Sequence, residues 1–159
     1  MVNRADRAPR QTLAIIDDSA RLHCPVAPVF HCRTVPKDLV RLADQASVPL
    51  DALRSARVAC FAGIANPQRF FDDVDSTGAT VVASLSFSDH HRFDILDLER
   101  VGSAAVGAGA DLILTTQKDA ARLGSSVLPP SLSGLHAFGV TTVVDETDAF
   151  TSLLARSVA

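Results

Sequence analysis

The chain has 159 residues, a net charge of -3 and a hydrophobic fraction of 47%, which suits a folded domain with a sizeable core and excludes an intrinsically disordered chain. No dense Lys/Arg tract is present to follow a phosphate backbone, so nucleic acid is not an expected partner. No apolar run reaches the ~18 residues needed to cross a bilayer, the polar start VNRADRAPRQ has no signal-peptide core, and Cys24, Cys32 and Cys60 match no disulfide spacing. A reducing, cytoplasmic setting is expected.

Thr12 to Ile16 and Val26 to Cys32 read as strands, the second carrying Pro28, which suits an edge strand or a bulge. Residues 1–35 are therefore expected to form a strand-pair linker, and residues 36–159 an α/β domain. Lys37 to Ala46 and Pro49 to Ala56 read as helical. A regular alternation follows: strand 58–62, helix 67–76, strand 80–85, helix 94–106, strand 111–114 and helix 117–123. This order predicts an α/β fold of three layers, with a mostly parallel sheet built from a Rossmann-like βαβ series. The runs VACFA, TVVASL and DLIL are short and nearly all apolar, as strands covered on both faces should be. Asn66 and Pro67 suit a capped helix start, Gly78 a left-handed stop, and Asp94 a further cap. After Gly124, LPPSLSG reads as a loop, Ala137 to Val144 as a strand and Asp148 to Val158 as an amphipathic helix.

Three loops follow three of these strands, and in a parallel sheet such loops gather at the carboxyl edge, where ligands bind. Asp89-His90-His91 carries the strongest chemistry, because an aspartate beside an imidazole can orient it for proton transfer near neutral pH. Its structural alternative is a polar turn capped by Asp89. Arg92, next in the chain, can meet a phosphate, and Arg69 is a weaker candidate for the same role. Thr115, Thr116, Lys118 and Asp119 stand at a strand-to-helix junction, able to bind an anion through side chains and helix amides. They are equally able to form a capping box of Thr116 with Asp119, or a Lys118–Asp119 ion pair. Gly63 and Asn66 allow either a close backbone approach to a ligand or simply a tight turn into a capped helix. His23-Cys24 and His31-Cys32 match no common zinc spacing, and Asp72, Asp73 and Asp75 read as the solvated face of a helix, so no metal site is expected.

The motifs GIANPQRFF, LSFSDHHRF and TTQKDAARL, in that order and each separated by a strand and a helix, resemble the carboxyl-terminal half of the tetraacyldisaccharide 4'-kinases of lipid A synthesis. Asn3-Arg4-Ala5-Asp6 is similar to the Arg-Ala-Asp element that follows the nucleotide-binding half of those kinases. The resemblance implies ATP-dependent phosphorylation of the 4'-hydroxyl of a tetraacyldisaccharide 1-phosphate. Asp89 and His90 would take the places of the family's active-site Asp-His pair, whose histidine supports an upstream aspartate base. His91, Arg92, Thr115, Thr116, Lys118, Asp119, Gly63 and Asn66 would line the substrate or phosphate site.

The sequence contains no G-x-x-x-x-G-K-[ST] segment, and its two lysines, Lys37 and Lys118, follow Pro36 and Gln117. Without a phosphate-binding loop the chain is expected to be inactive alone, a truncated kinase half whose linker would join a missing nucleotide-binding half. ATP and Mg²⁺ are implied for the complete enzyme and neither is expected to be held by this chain alone. The implied partners are the lipid A disaccharide precursor and a separate amino-terminal kinase half, with membrane contact peripheral at the cytoplasmic face of the inner membrane. Two other readings stand beside this one: a noncatalytic binding or scaffold remnant, and a DHH-type metal-dependent phosphoesterase using Asp17-Asp18 after a strand.

Overall fold

A computed structural model describes residues 2–3, 8–124 and 128–158. The chain divides into two compact units, residues 1–35 with 140–159, and residues 36–139. The strands and helices in order are β1 (Val2–Asn3), α1 (Arg10–His23), β2 (His31–Arg41), β3 (Ser47–Val48), β4 (Arg57–Ala62), α2 (Pro67–Asp75), β5 (Thr80–Ser86), α3 (Ile95–Gly107), β6 (Leu112–Thr116), α4 (Gln117–Leu123), β7 (Leu135–Val144) and α5 (Thr147–Val158). None of the helices described is long and apolar enough to cross a membrane.

In the unit of residues 36–139, the strand order is β2-β7-β6-β4-β5, with β3 antiparallel on β2. Strands β7, β6, β4 and β5 are parallel. The β2 strand runs the other way: the Leu42 N–H donates to the Leu135 carbonyl, while Asp38 lies against Gly139. Side chains of β4 alternate between two cores as strand geometry requires. Val58, Cys60 and Ala62 join Phe70, Phe71 and Val74 of α2. Ala59 and Phe61 join Leu98, Val101 and Ala105 of α3 and Leu123 of α4. The result is the three-layer, mostly parallel α/β arrangement the sequence predicts. Burial on both faces explains why β4 has no polar residue after Arg57, and it drives the Cys60 thiol up to about 12.

The helix ends follow from local chemistry. Asn66 accepts the Arg69 N–H at 3.3 Å ahead of Pro67, and Gly78 takes φ +88° beyond α2. Asp94 and Asp97 form a reciprocal capping box at the start of α3. At the other end of α3, the Arg57 guanidinium donates to the carbonyls of Ala108 and Gly109 at 2.7 and 2.9 Å, where a cation also complements the helix dipole.

The unit of residues 1–35 and 140–159 departs from the sequence expectation. Thr12 to Ile16, expected as a strand, lies inside helix α1. Its half-buried Leu13, Asp17 and Ala20 recur at helical spacing, a period that outweighs the short β-branched run. The second expected linker strand, Val26 to Cys32, is shifted: β2 begins only at His31 and continues through Pro36 to Arg41. It therefore replaces the helix expected from Lys37, and Leu39 is fully buried on it. Pro49 to Ala56 forms only a short 3₁₀ turn, Leu50–Leu53. Within the first unit, β1 pairs parallel with the start of β2, the Phe30 and Phe150 rings meet edge to face at 5.2 Å, and His31 Nε2 donates to Asp17 Oδ1 at 2.9 Å.

A Cβ placed on Gly139 would stand 2.9 Å from the Asp38 carbonyl oxygen, closer than side-chain carbons tolerate. Gly139→Ala is expected to push β7 from β2 and cost about 1–3 kcal/mol, the range for overpacking, read as a lower urea midpoint with an unchanged slope.

Candidate functional site

The carboxyl ends of β4, β5 and β6 carry the loops singled out in the sequence, and Asp119 holds two of them together. Its side chain has no exposed surface. Oδ2 accepts the Gly63 N–H at 3.0 Å and the Thr116 hydroxyl at 2.8 Å, and Oδ1 accepts Arg122 Nη1 at 2.8 Å. Thr116 is the cap of α4, its hydroxyl oxygen accepting the Asp119 N–H at 3.1 Å. The capping interaction expected for Thr116 and Asp119 is therefore present. The ion-pair partner of Asp119 is Arg122 rather than Lys118, because three residues along a helix bring two side chains onto one face while adjacent residues diverge.

Arg122 extends this network to the Asp-His motif. Its Nη1 also donates to the Gly63 carbonyl at 2.8 Å, and its Nη2 donates to His90 Nδ1 at 3.1 Å. The His90 backbone N–H is shared between the Gly63 carbonyl at 3.1 Å and Asp89 Oδ1 at 3.0 Å. His90 has φ +59°, a left-handed conformation that costs a non-glycine residue about 1 kcal/mol or more. Its side chain is 79% exposed, with Nε2 3.8 Å from Asp89 Oδ2.

His91 has the opposite environment. Its ring packs against Phe87 and Phe93 at centroid distances of 4.9 and 5.1 Å. Nε2 donates to Asp97 Oδ2 at 2.6 Å, and Ser88 Oγ lies 3.4 Å from Nδ1. That hydrogen bond from His91 is the main cause holding the Asp97 carboxyl below its ordinary value, aided by the Asp94 N–H. Gly63 is the point of close approach beneath this loop: a Cβ there would stand 3.0 Å from His91 Cβ.

The structure thus brings Gly63, Asp89, His90, Thr116 and Asp119 into one hydrogen-bonded cluster, with His91 packed against Gly63. Thr115 is not part of the surface; it is buried, and its hydroxyl donates to the Phe61 carbonyl at 3.0 Å, joining β6 to β4. Asn66 spends its side-chain oxygen on the α2 cap. Lys118 and Arg92 are exposed. Asp73, expected on a solvated face, is buried. Two residues that sequence reasoning missed complete the picture, Arg122 and Asp97. Each had a signal: Arg122 lies three residues after Asp119, and Asp97 three after the cap Asp94. A groove of about 390 Å³ in the same unit is lined by Val40, Leu42, Gln117, Ala120 and Ala137 and by none of the ten candidates. No group of three or more His, Cys, Asp or Glu suited to a metal ion occurs among the described residues.

Two variants test this geometry. If His90 is held left-handed against its preference, His90→Gly should be more stable than His90→Ala by about 1 kcal/mol in urea denaturation. Asp97 should stabilise the fold when ionised, because its folded pKa is lowered. That contribution is complete above the unfolded value of about 3.9 and is lost as pH falls through the folded value. Asp97→Asn is therefore expected to cost about 1.5–3 kcal/mol at pH 7, the range for hydrogen bonds to a charged group. The deficit should shrink toward pH 3.

Comparison with known proteins agrees with these motifs. The family model described as tetraacyldisaccharide-1-P 4'-kinase, LpxK, matches residues 2–159. A tetraacyldisaccharide 4'-kinase of Nitrobacter winogradskyi is 37% identical over 144 residues, 90% of this chain and 40% of that protein. One from Anaeromyxobacter sp. is 37% identical over 139 residues, 87% of this chain and 36% of that protein. The crystal structure of LpxK from Aquifex aeolicus in complex with ATP shares the fold, with a TM-score of 0.55 and 20% identity, over 94% of this chain and 45% of that one. The present chain spans less than half the length of these relatives, and within that span it belongs to the tetraacyldisaccharide 4'-kinase family.

Proposed function

We propose that this chain forms the carboxyl-terminal part of a lipid A 4'-kinase, an activity that transfers the ATP γ-phosphoryl group to the 4'-hydroxyl of a tetraacyldisaccharide 1-phosphate. The observation that carries this reading is the exposed Asp89-His90 pair, held at the carboxyl edge of the sheet in a chain belonging to the kinase family. In this reading His90 directs Nε2–H at the aspartate base that the family supplies from outside the present sequence. Asp89 holds the turn through the His90 N–H, and Arg92 and Lys118 offer positive charge to phosphate oxygens. The lipid precursor is the partner, and contact with the inner membrane is peripheral on its cytoplasmic face.

The residues described here do not fit a triphosphate–magnesium site by themselves. Asp119, the buried carboxylate nearest the loops, has both oxygens committed to protein donors, and no phosphate-binding loop occurs in the sequence. Positioning and charge neutralisation make up most of phosphoryl-transfer catalysis, so turnover requires the amino-terminal half of a family kinase. The metal-dependent phosphoesterase reading loses its support, because Asp17 lies within helix α1 and accepts from His31 instead of ending a strand.

Kinase activity should be measured with ATP, Mg²⁺ and the tetraacyldisaccharide 1-phosphate, for this chain alone and mixed with the amino-terminal half of a related kinase. Activity only in the mixture, reduced about 100-fold or more by His90→Ala, is the expected result. A folded chain that gives no activity in the mixture would instead be a binding or scaffold module.

A further inference from the structure

We propose that Arg122 is a positioning residue that fixes His90 as an Nε2–H donor. This rests on the reading of His90 as a site residue. A guanidinium has only N–H groups to offer and cannot accept a hydrogen bond. Because Arg122 Nη2 lies 3.1 Å from His90 Nδ1, that nitrogen must present its lone pair, and the ring proton of neutral His90 sits on Nε2. The exposed edge of the ring therefore offers a donor to whatever acceptor approaches.

Arg122 is itself fixed through Nη1 of its guanidinium. Nη1 is held by the Gly63 carbonyl and by Asp119, which is wholly buried. Nη2 therefore reaches His90 from a rigid mount, whereas a free surface arginine would sample many rotamers. The same Gly63 carbonyl accepts the His90 backbone N–H, so the main chain and the ring of His90 are tied to one peptide group. Two independent features thus converge on this residue: a left-handed backbone that the loop sustains, and a ring whose tautomer a buried ion pair selects. Strain maintained by over-determined contacts is characteristic of functional positions.

The other histidines provide internal standards. In His136 and His23, Nδ1 lies 2.8 Å from a backbone carbonyl, of Gly134 and Ser19 respectively. A carbonyl only accepts, so those rings must carry the proton on Nδ1. His90 is expected to show the reverse pattern.

The test is long-range ¹H–¹⁵N correlation on the ¹⁵N-labelled chain at a pH where its histidines are neutral. Expected are a pyridine-like Nδ1 and a protonated Nε2 at His90, with the opposite assignment at His136. In Arg122→Met, His90 should move to the tautomer mixture of a free imidazole while His136 is unchanged, and Arg122→Lys should restore part of the shift. The same His90 nitrogen shifts in wild type and Arg122→Met would overturn the proposal. Because Arg122→Met also strips a partner from Asp119 and can fail to fold, wild-type His90 provides a second criterion: mixed tautomers or a protonated Nδ1 there would overturn the proposal without any variant. In the complemented kinase assay, Arg122→Met should lower kcat by about 10–100-fold with little change in KM, as for a misplaced group. Full activity of a His90→Ala mixture would instead remove the reading of His90 as a site residue, a failure distinguishable from any tautomer result.

Discussion

A carboxylate with no exposed surface must find every partner inside the protein, and Asp119 finds them in three different segments. The Gly63 amide comes from the end of β4, the Thr116 hydroxyl from the end of β6, and the Arg122 guanidinium from the last turn of α4. Leaving such a charge unpaired costs roughly 3–5 kcal/mol, so the segments cannot separate independently. The loop after β4 is thereby fixed to α4, and Gly63 then passes the constraint on by accepting from both Arg122 and His90. The loop after β5 is positioned third, through the peptide that Asp119 positioned first.

Two consecutive histidines show what this arrangement achieves. The left-handed turn at His90 directs its ring outward, whereas His91 turns in to pack against Phe87, meet Phe93 edge to face and bind Asp97. His91 anchors the loop to the start of α3 and uses its ring contacts and Nε2 in doing so. His90 remains mostly exposed, held by its backbone and by Nδ1. A dipeptide that looks like a single chemical motif is thus one structural residue followed backwards by one available residue, and only the backbone torsion separates their roles.

The alternation from β4 to α4 was readable because each strand is a short apolar run and each helix has its cap at the expected spacing: Asn66 with Arg69, Asp94 with Asp97, Thr116 with Asp119. Residues 10–41 were not readable in the same way. Thr12 to Ile16 contains enough β-branched side chains to suggest a strand, while the helical period appears only when Leu13, Asp17 and Ala20 are taken together. Lys37 to Ala46 reads as helical, yet pairing of β2 with β7 and β3 overrides that local preference. Within the site, the chemistry-bearing residues could be named from the loops, but their sorting into buried and available groups depends on long-range bonds such as that between Arg122 and His90, 32 residues apart.

That sorting narrows the chemistry of the carboxyl edge. Thr115 and Asp119 are consumed by the fold, as is the Nε2 of His91, and the side-chain oxygen of Asn66 by a helix cap. Among the ten sequence candidates, the exposed ionisable side chains left to meet a ligand are Asp89, His90, Arg92 and Lys118. Two are permanent cations and one is an imidazole whose free nitrogen carries the proton, so the set favours an anionic or hydrogen-bond-accepting partner. Asp89 is the exception, and its Oδ1 is already engaged with the His90 N–H. An edge of this composition can bind and orient phosphate oxygens or donate to a carboxylate. The network around Asp119 and Gly63 holds His90 where its outer edge stays open to such a partner.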